Sequence, residues 1–249
     1  MKTNILRLQK ALLAEGFNPG AIDGIDGKQT QKALADWKAW ASTLPRGIDI
    51  SRWQPIVNWP EVKKDGVQFV FIKCTDGYGK DPMFEKHRAG AKSVGLYVGY
   101  YHFFRPSKDL EKQAQTIFDA VGVLGSTELP IAIDVERDDI GADGVAGTKD
   151  DVKATQKMVE EFIKLVHKKT GKMPIVYSYG PYFIANKIKI NYCPLWIAEY
   201  RGFVPSTPLE GFQRWSIHQW IGNAGKQNGV KGACDLNICR VPLNELALG

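Results

Sequence analysis

No apolar run in the chain approaches the roughly 20 residues that cross a bilayer, so membrane insertion is not expected. The opening stretch, MKTNILRLQKALL, carries Lys2 but neither an unbroken apolar core nor a small-residue cleavage site, and no secretory signal is read in it. Histidine is scarce, and the four cysteines (Cys74, Cys193, Cys234 and Cys239) form no C-x-x-C, which disfavours structural zinc. Four cysteines allow three disulfide pairings, among which spacing cannot choose. Cys74 lies in the apolar run FVFIKC, where a free thiol behaves as a small hydrophobe, and mostly reduced thiols are expected. The net charge is +6, yet there is no block of Lys or Arg. Nucleic acid is therefore not expected as a partner, whereas the positive sum favours approach to an anionic surface such as an acidic cell wall. No G-x-x-x-x-G-K-[ST] loop and no G-x-S-x-G elbow is present, which speaks against nucleotide hydrolysis and serine-type hydrolysis.

What is there divides into two segments. Residues 1–43 read as two short helices. In NILRLQKALLAEGF, Ile5, Leu8, Leu12 and Leu13 recur at helical spacing, and Gly16 stands where a C-terminal cap would end the helix. The next stretch, NPGAIDGIDG, is rich in turn formers. A second helix follows, with Thr30 near its start and Ala33, Leu34 and Trp37 on one face. The DGIDG run lacks the ligand spacing and distal Glu of a calcium loop and is read as a turn. Residues 44–249 alternate β-rich runs (GIDIS, FVFIKC, LYVGYYHFF, PIAIDVE, MPIVYSY, LWIAEY, SIHQW) with helical stretches. That rhythm predicts an α/β fold with a parallel sheet and crossover helices. The strand runs are apolar throughout, as strands buried on both faces are. The number of units points to a closed barrel, and the sparse helix content of the last third makes it incomplete on its helical side. STLPRG, residues 42–47, is a short linker, so the two segments are expected to touch.

In such a barrel the carboxyl ends of the strands form the active face. Acids gather there: Asp49 ends the first run, Asp76 follows the second, Asp134 and Glu136 end the fourth, and Asp235 stands in CDLN. In a strand, residues i and i+2 share a side. Asp134 and Glu136 should therefore face the barrel mouth together, with Val135 turned into the packing. Two carboxylates this close disfavour joint ionisation, so one keeps its proton as a general acid and the other stays charged, a division suited to cleaving a glycosidic bond. Tyr101, Tyr177, Trp196 and Trp220 at strand ends are candidates to meet sugar faces, and Gln219 to bond a sugar hydroxyl. His102 and His218, inside apolar runs, are read as core histidines. The loop RDDIGADGVAGTKDD after the fourth strand is acidic, with Asp-Gly spacing that hints at calcium, but a plain solvated loop is the preferred reading.

Taken in order, GIDISRWQ, YHFFRP, PIAIDVE, LWIAEY, HQW and CDLN resemble glycoside hydrolase family 25, the Chalaropsis-type lysozymes common among phage endolysins. LQKALLAEGF, PGAIDGIDG, Thr30 and ALADW resemble an N-terminal peptidoglycan-binding domain. The first resemblance implies a flattened TIM-like β/α barrel over residues 44–249. It also implies hydrolysis, with retention, of the β-1,4 bond between N-acetylmuramic acid and N-acetylglucosamine in peptidoglycan. Glu136 would be the acid and base, and Asp134 the nucleophile or the group that steadies the substrate's N-acetyl group. Asp49 and Asp235 would be supporting acids. The family often has Glu where this chain has Asp76, so that position stands apart. No cofactor and no metal is implied. The enzyme is expected to be a monomer, made in the host cytoplasm and released to act on glycan strands of the cell wall.

Overall fold

The computed structural model describes residues 2–142, 144–200, 204–205 and 214–249. Helices α1 (Lys2–Ala14) and α2 (Lys28–Ala41) come first. Then follow β1 (Arg46–Ile50), α3 (Trp59–Lys64), β2 (Val67–Asp76), β3 (Gly79–Lys80), α4 (Phe84–Ser93), β4 (Tyr97–Phe103) and α5 (Leu110–Val121). The chain continues through β5 (Ala132–Asp134), α6 (Gln156–Thr170), β6 (Ile175–Tyr179), α7 (Gly180–Ala185), β7 (Leu195–Ala198), β8 (Trp215–Gly225), β9 (Cys234–Cys239) and α8 (Leu243–Leu248).

The strands run in the order β1-β9-β8-β7-β6-β5-β4-β2-β3, and β1 also pairs with β2, so the sheet closes into a barrel with β3 as a small flap on β2. From β1 through β8 the barrel pairings are parallel; β9 is antiparallel to both β8 and β1. Residues 226–233 join β8 to β9 without a helix, which matches the thin helical layer expected of the last third. The crossover helices are stopped by ordinary local chemistry. The Asp109 side chain accepts the Lys112 N–H at the start of α5, and Thr155 does the same for Met158 at the start of α6. Gly171, at φ +80, supplies the left-handed residue that ends α6.

Alternation along each strand sorts the apolar residues into two cores. Ile48, Val70, Ile72, Val98, Ile133, Val135 and Val176 point outward beneath the helices. Phe69, Phe71, Ala132, Ile175, Trp196 and Ile217 fill the barrel. The short C-terminal helix α8, which hydrophobic periodicity did not reveal, puts Leu243, Leu246 and Ala247 into this inner core.

The helical pair belongs to the outer core. Ala11, Leu12, Ala33, Trp37 and Ala41 join it, and the pair's aromatic rings reach β8: Trp40 meets Trp215 with ring centroids 6.2 Å apart, and Trp37 meets His218 at 6.4 Å. Glu15 accepts the Trp215 indole N–H at 3.0 Å and pairs with Arg240 at 3.1 Å. The Arg240 guanidinium lies over both Trp40 and Trp215. The Glu15 side chain is 1% exposed. Separating it from Arg240 would strand a buried charge, at a cost of about 3–5 kcal/mol, so the pair is fastened to the barrel rather than hung from it. The helical pair thus covers the outer side of β8. The expected face of α1 differs in one place: Leu13 is exposed, and Gln9 is buried instead. Gln9 explains the glycine-rich turn. Its amide donates to Asp23, the Ile25 carbonyl and Thr30, and its carbonyl accepts the Gly24 N–H.

Candidate active site

The strand ends converge as the acid pattern predicted. Val135 lies in the outer core while Ala132 lies in the inner one, so Asp134 and Glu136 share the inward side. The ladder continues past β5: the Val135 N–H donates to the Tyr177 carbonyl at 2.9 Å and the Phe104 N–H to the Asp134 carbonyl at 3.0 Å. This holds the D-V-E segment extended until Glu136 has cleared the barrel rim. On the far wall Asp49 of β1 is paired directly with Asp235 of β9, which sets their side chains next to each other.

All four acids line one groove of about 200 Å³, with Tyr101, Tyr177, Trp196 and Gln219 also in its wall. Lys73, Ser51, Trp53, Phe103, Tyr200 and Asn223 complete it. Trp220 is a correction. It lies on the outer side of β8, in a separate cleft of about 460 Å³ beside Trp37 and Lys38 of α2. Gln219 and Trp220 are neighbours on one strand, and only one of them can face inward. Trp196 is nearly buried; its indole donates to Asn237 at 2.9 Å and packs on Phe71 and Tyr177, so it forms the floor. The Gln219 amide is engaged by protein. Its carbonyl accepts the hydroxyls of Tyr177 at 2.8 Å and Tyr200 at 2.6 Å, and its NH₂ donates to Asp49 at 2.8 Å. At the rim Trp53 is 75% exposed, Tyr200 51% and Tyr179 38%, leaving aromatic faces to solvent.

Burial governs the charges. Asp134 is pushed well above the ordinary carboxylate range, first by loss of water and then by the Glu136 charge, with Lys73 opposing. Its Oδ1 is buried without a hydrogen-bond partner. Glu136 is also raised, by burial and by Asp235, with Lys73 and Arg137 opposing. Proximity alone predicts that one member rises and the other stays charged; both rise, because both have left bulk water. Asp49 is raised well up by burial and by Asp235, although Asn237 and Gln219 donate to it. Asp235 is also raised by burial, while the Asn223 N–H and a hydrogen bond from Asp49 pull it back. The groove therefore stores protons and behaves as coupled pairs rather than as four independent acids.

The neighbouring groups settle the remaining readings. Burial alone would raise Asp76, but bonds from Arg105 and Lys73 outweigh it and hold that carboxyl below its usual value. Burial lowers His102 and His218 to about 4, leaving both neutral core rings. All four cysteines are free and buried. In the acidic loop, Asp138 accepts from Tyr182, Asp139 from Ser107 and Arg105, and Asp151 from the N–H groups of Gly141 and Gly147. These acids fasten the loop; Asp143 lies outside the described residues. Sequence reading missed Lys73 and Asn237. Parity would have found both: Phe69, Phe71 and Lys73 share a face, as do Asp235 and Asn237.

The chain matches the model of glycosyl hydrolases family 25 over residues 48–230. It is 32% identical over 213 residues to the uncharacterised protein YegX of Escherichia coli K12, covering 83% of this chain and 73% of that one. It is 28% identical over 202 residues to lysozyme M1 of Streptomyces globisporus, covering 77% and 66%. The crystal structure of a bacterial lysozyme from Streptomyces coelicolor superposes with a TM-score of 0.71 at 25% identity, over 82% of this chain and 95% of that one. The closed barrel, the acids at its strand ends and the extent of the family match together make this chain a member of glycosyl hydrolase family 25.

Proposed function

We propose that the chain is a muramidase that hydrolyses the β-1,4 bond between N-acetylmuramic acid and N-acetylglucosamine in peptidoglycan with retention. The observation that carries this reading is the pair Asp134 and Glu136, turned to the same side past β5 into an open groove, with Glu136 raised above the usual carboxylate range. A lysozyme name on a relative sharing most of this chain's length supports the choice of substrate.

Glu136, held protonated, donates to the glycosidic oxygen as the bond to the anomeric carbon breaks. Adjacent same-side strand positions lie about 6.5–7 Å apart along the chain, wider than the roughly 5–5.5 Å of direct nucleophilic retention. The substrate's own N-acetyl carbonyl therefore attacks the anomeric carbon. Asp134, as the anion, holds the amide N–H and balances the positive charge of the cyclic intermediate. Glu136, now a carboxylate, takes a proton from water; the water oxygen bonds to the anomeric carbon and the N-acetyl group is restored. Asp49, Gln219 and Asn237 brace the opposite wall through their hydrogen bonds. The exposed Trp53 and Tyr200 stack on sugar faces at the rim. The helical pair of residues 1–43 serves as a wall anchor, and an endolysin-type role, with synthesis in the host cytoplasm before release, extends the same reading.

Product analysis tests it. Purified peptidoglycan and chitin are digested, the new reducing ends are reduced with borohydride, and the sugar alcohol is identified. Muramitol from peptidoglycan is the expected product. Glucosaminitol would instead mark a hydrolase of other N-acetylated glycans, and no product would mark a catalytically silent wall-binding protein.

A further inference from the structure

Lys73 stands on the inward face of β2 and is the one cation among the described residues that line the groove. Its ammonium lies 2.9 Å from Asp76 Oδ2 and 4.8 Å from the centre of the Phe103 ring. Arg105 grips the same Asp76 carboxylate from behind through Nε at 2.6 Å and Nη2 at 3.2 Å. Its third nitrogen, Nη1, reaches Asp139 at 3.3 Å. Asp139 is fixed in turn by the Ser107 N–H at 3.0 Å and hydroxyl at 2.6 Å, and by a two-residue bridge to Val152. A continuous ionic relay thus runs from the base of the acidic loop to the groove, ending in an ammonium. Its four charges sum to zero, but its positive end is the one turned toward the carboxyl pair.

A lysine ammonium on a flexible stem drifts to water unless it is held. The forked guanidinium grips a carboxylate in a fixed plane. Here that fork neutralises Asp76 from the rear, so the field of Lys73 is left for the acids in front of it. We propose that Asp76, Arg105 and Asp139 are positioning residues that fix the Lys73 ammonium beside Asp134 and Glu136, and that Lys73 supplies the charge that lets one member of that pair work as an anion. The proposal rests on the hydrolase reading above and names the device that divides the labour between two acids both raised by burial.

Other groups face the same pair. Asp49 of β1 and Asp235 of β9 add negative charge from the far wall. Arg137, following β5, adds positive charge to Glu136. The phenols of Tyr101 on β4, Tyr177 on β6 and Tyr200 after β7 are pushed up by burial and stay neutral. β8 contributes only neutral groups, Gln219 and Asn223. Among the described lining residues Lys73 alone is a cation, and Arg137 acts on Glu136 rather than on Asp134, so the effect of removing Lys73 is read at Asp134.

The test is the pH dependence of kcat for the full chain on solubilised peptidoglycan strands. Lys73→Met is expected to move the acidic limb of kcat alkaline by about one unit, because Asp134 then holds its proton to higher pH, and so to lower kcat by up to about 10-fold along that limb. KM should change by less than about threefold, since the loss falls on the reacting state. Lys73→Arg should keep the limb near its wild-type place. Asp76→Asn discriminates further. Loss of an anion alone would move the limb acid; a loosened ammonium moves it alkaline, which is the expected result. An unmoved limb in Lys73→Met, or an unmoved or acid-shifted limb in Asp76→Asn, overturns the proposal. A wild-type chain that released no reducing ends would instead overturn the hydrolase reading.

Discussion

Glu136→Gln is expected to lower wall lysis by about 10³-fold while co-sedimentation with walls stays at the wild-type level. Gln keeps the shape and a hydrogen-bonding end but has no proton to transfer, and general acid catalysis contributes roughly 10²–10⁴-fold. A 10³-fold loss corresponds to about 4 kcal/mol of transition-state stabilisation. The groove contains other raised acids, but Asp49 and Asp235 sit on the opposite wall, where Asp49 is held by Gln219 and Asn237. Neither is proposed to protonate the leaving oxygen. Turbidity loss of wall suspensions measures the first effect and pelleting the second. Lysis retained at the wild-type rate would refute the assignment of the acid.

Asp134→Asn is expected to remove activity to a similar extent and to make the protein more stable. The sign follows from the direction of the shift. Burial and the Glu136 charge raise Asp134 well above its unfolded value, so the fold favours the protonated form. That contribution is complete below the ordinary carboxylate range and is lost as pH rises through the raised value. Asn cannot ionise and escapes the loss. At pH 7 to 8 the variant should melt at a higher temperature than wild type, and the difference should shrink as pH falls below the ordinary carboxylate range. Thermal melts across pH measure it. A variant less stable than wild type at every pH would show that the buried carboxylate is not strained in this way. Activity traded for stability at one side chain is what a charged group held in a dry groove implies.

The relation of sequence to structure differs from element to element. The D-V-E segment was legible because a period of two is a local property: once the run is a strand, Asp134 and Glu136 must share a side. The same rule, not applied at Gln219 and Trp220, would have excluded Trp220 from the groove. The crossover helices α4, α5 and α6 are long and amphipathic and could be read; α3, α7 and α8 span six residues each, too short for periodicity to register. The pairing of Asp49 with Asp235 depends on register between strands at opposite ends of the barrel segment, which no local pattern encodes. The seating of the helical pair was equally hidden. Its own apolar face is too small for an independent core, and Trp37, Trp40 and Glu15 find their partners only when Trp215, His218 and Arg240 are brought to them in space. The Gln9 side chain inside the glycine-rich turn was hidden for the same reason: a buried amide is recognised by its partners, not by its spacing.

The account depends on two same-side carboxyls that have left water and share protons across a sugar-sized groove. Carbon-13 NMR of the side-chain carboxyls, titrated through the acid and neutral range and assigned with Asp134→Asn and Glu136→Gln, measures that directly. Both Asp134 and Glu136 should titrate above the ordinary carboxylate values of about 4, and Asp134 should titrate at lower pH in Glu136→Gln, where the neighbouring charge is gone. Two independent titrations near the ordinary values, each indifferent to loss of the other, would contradict it.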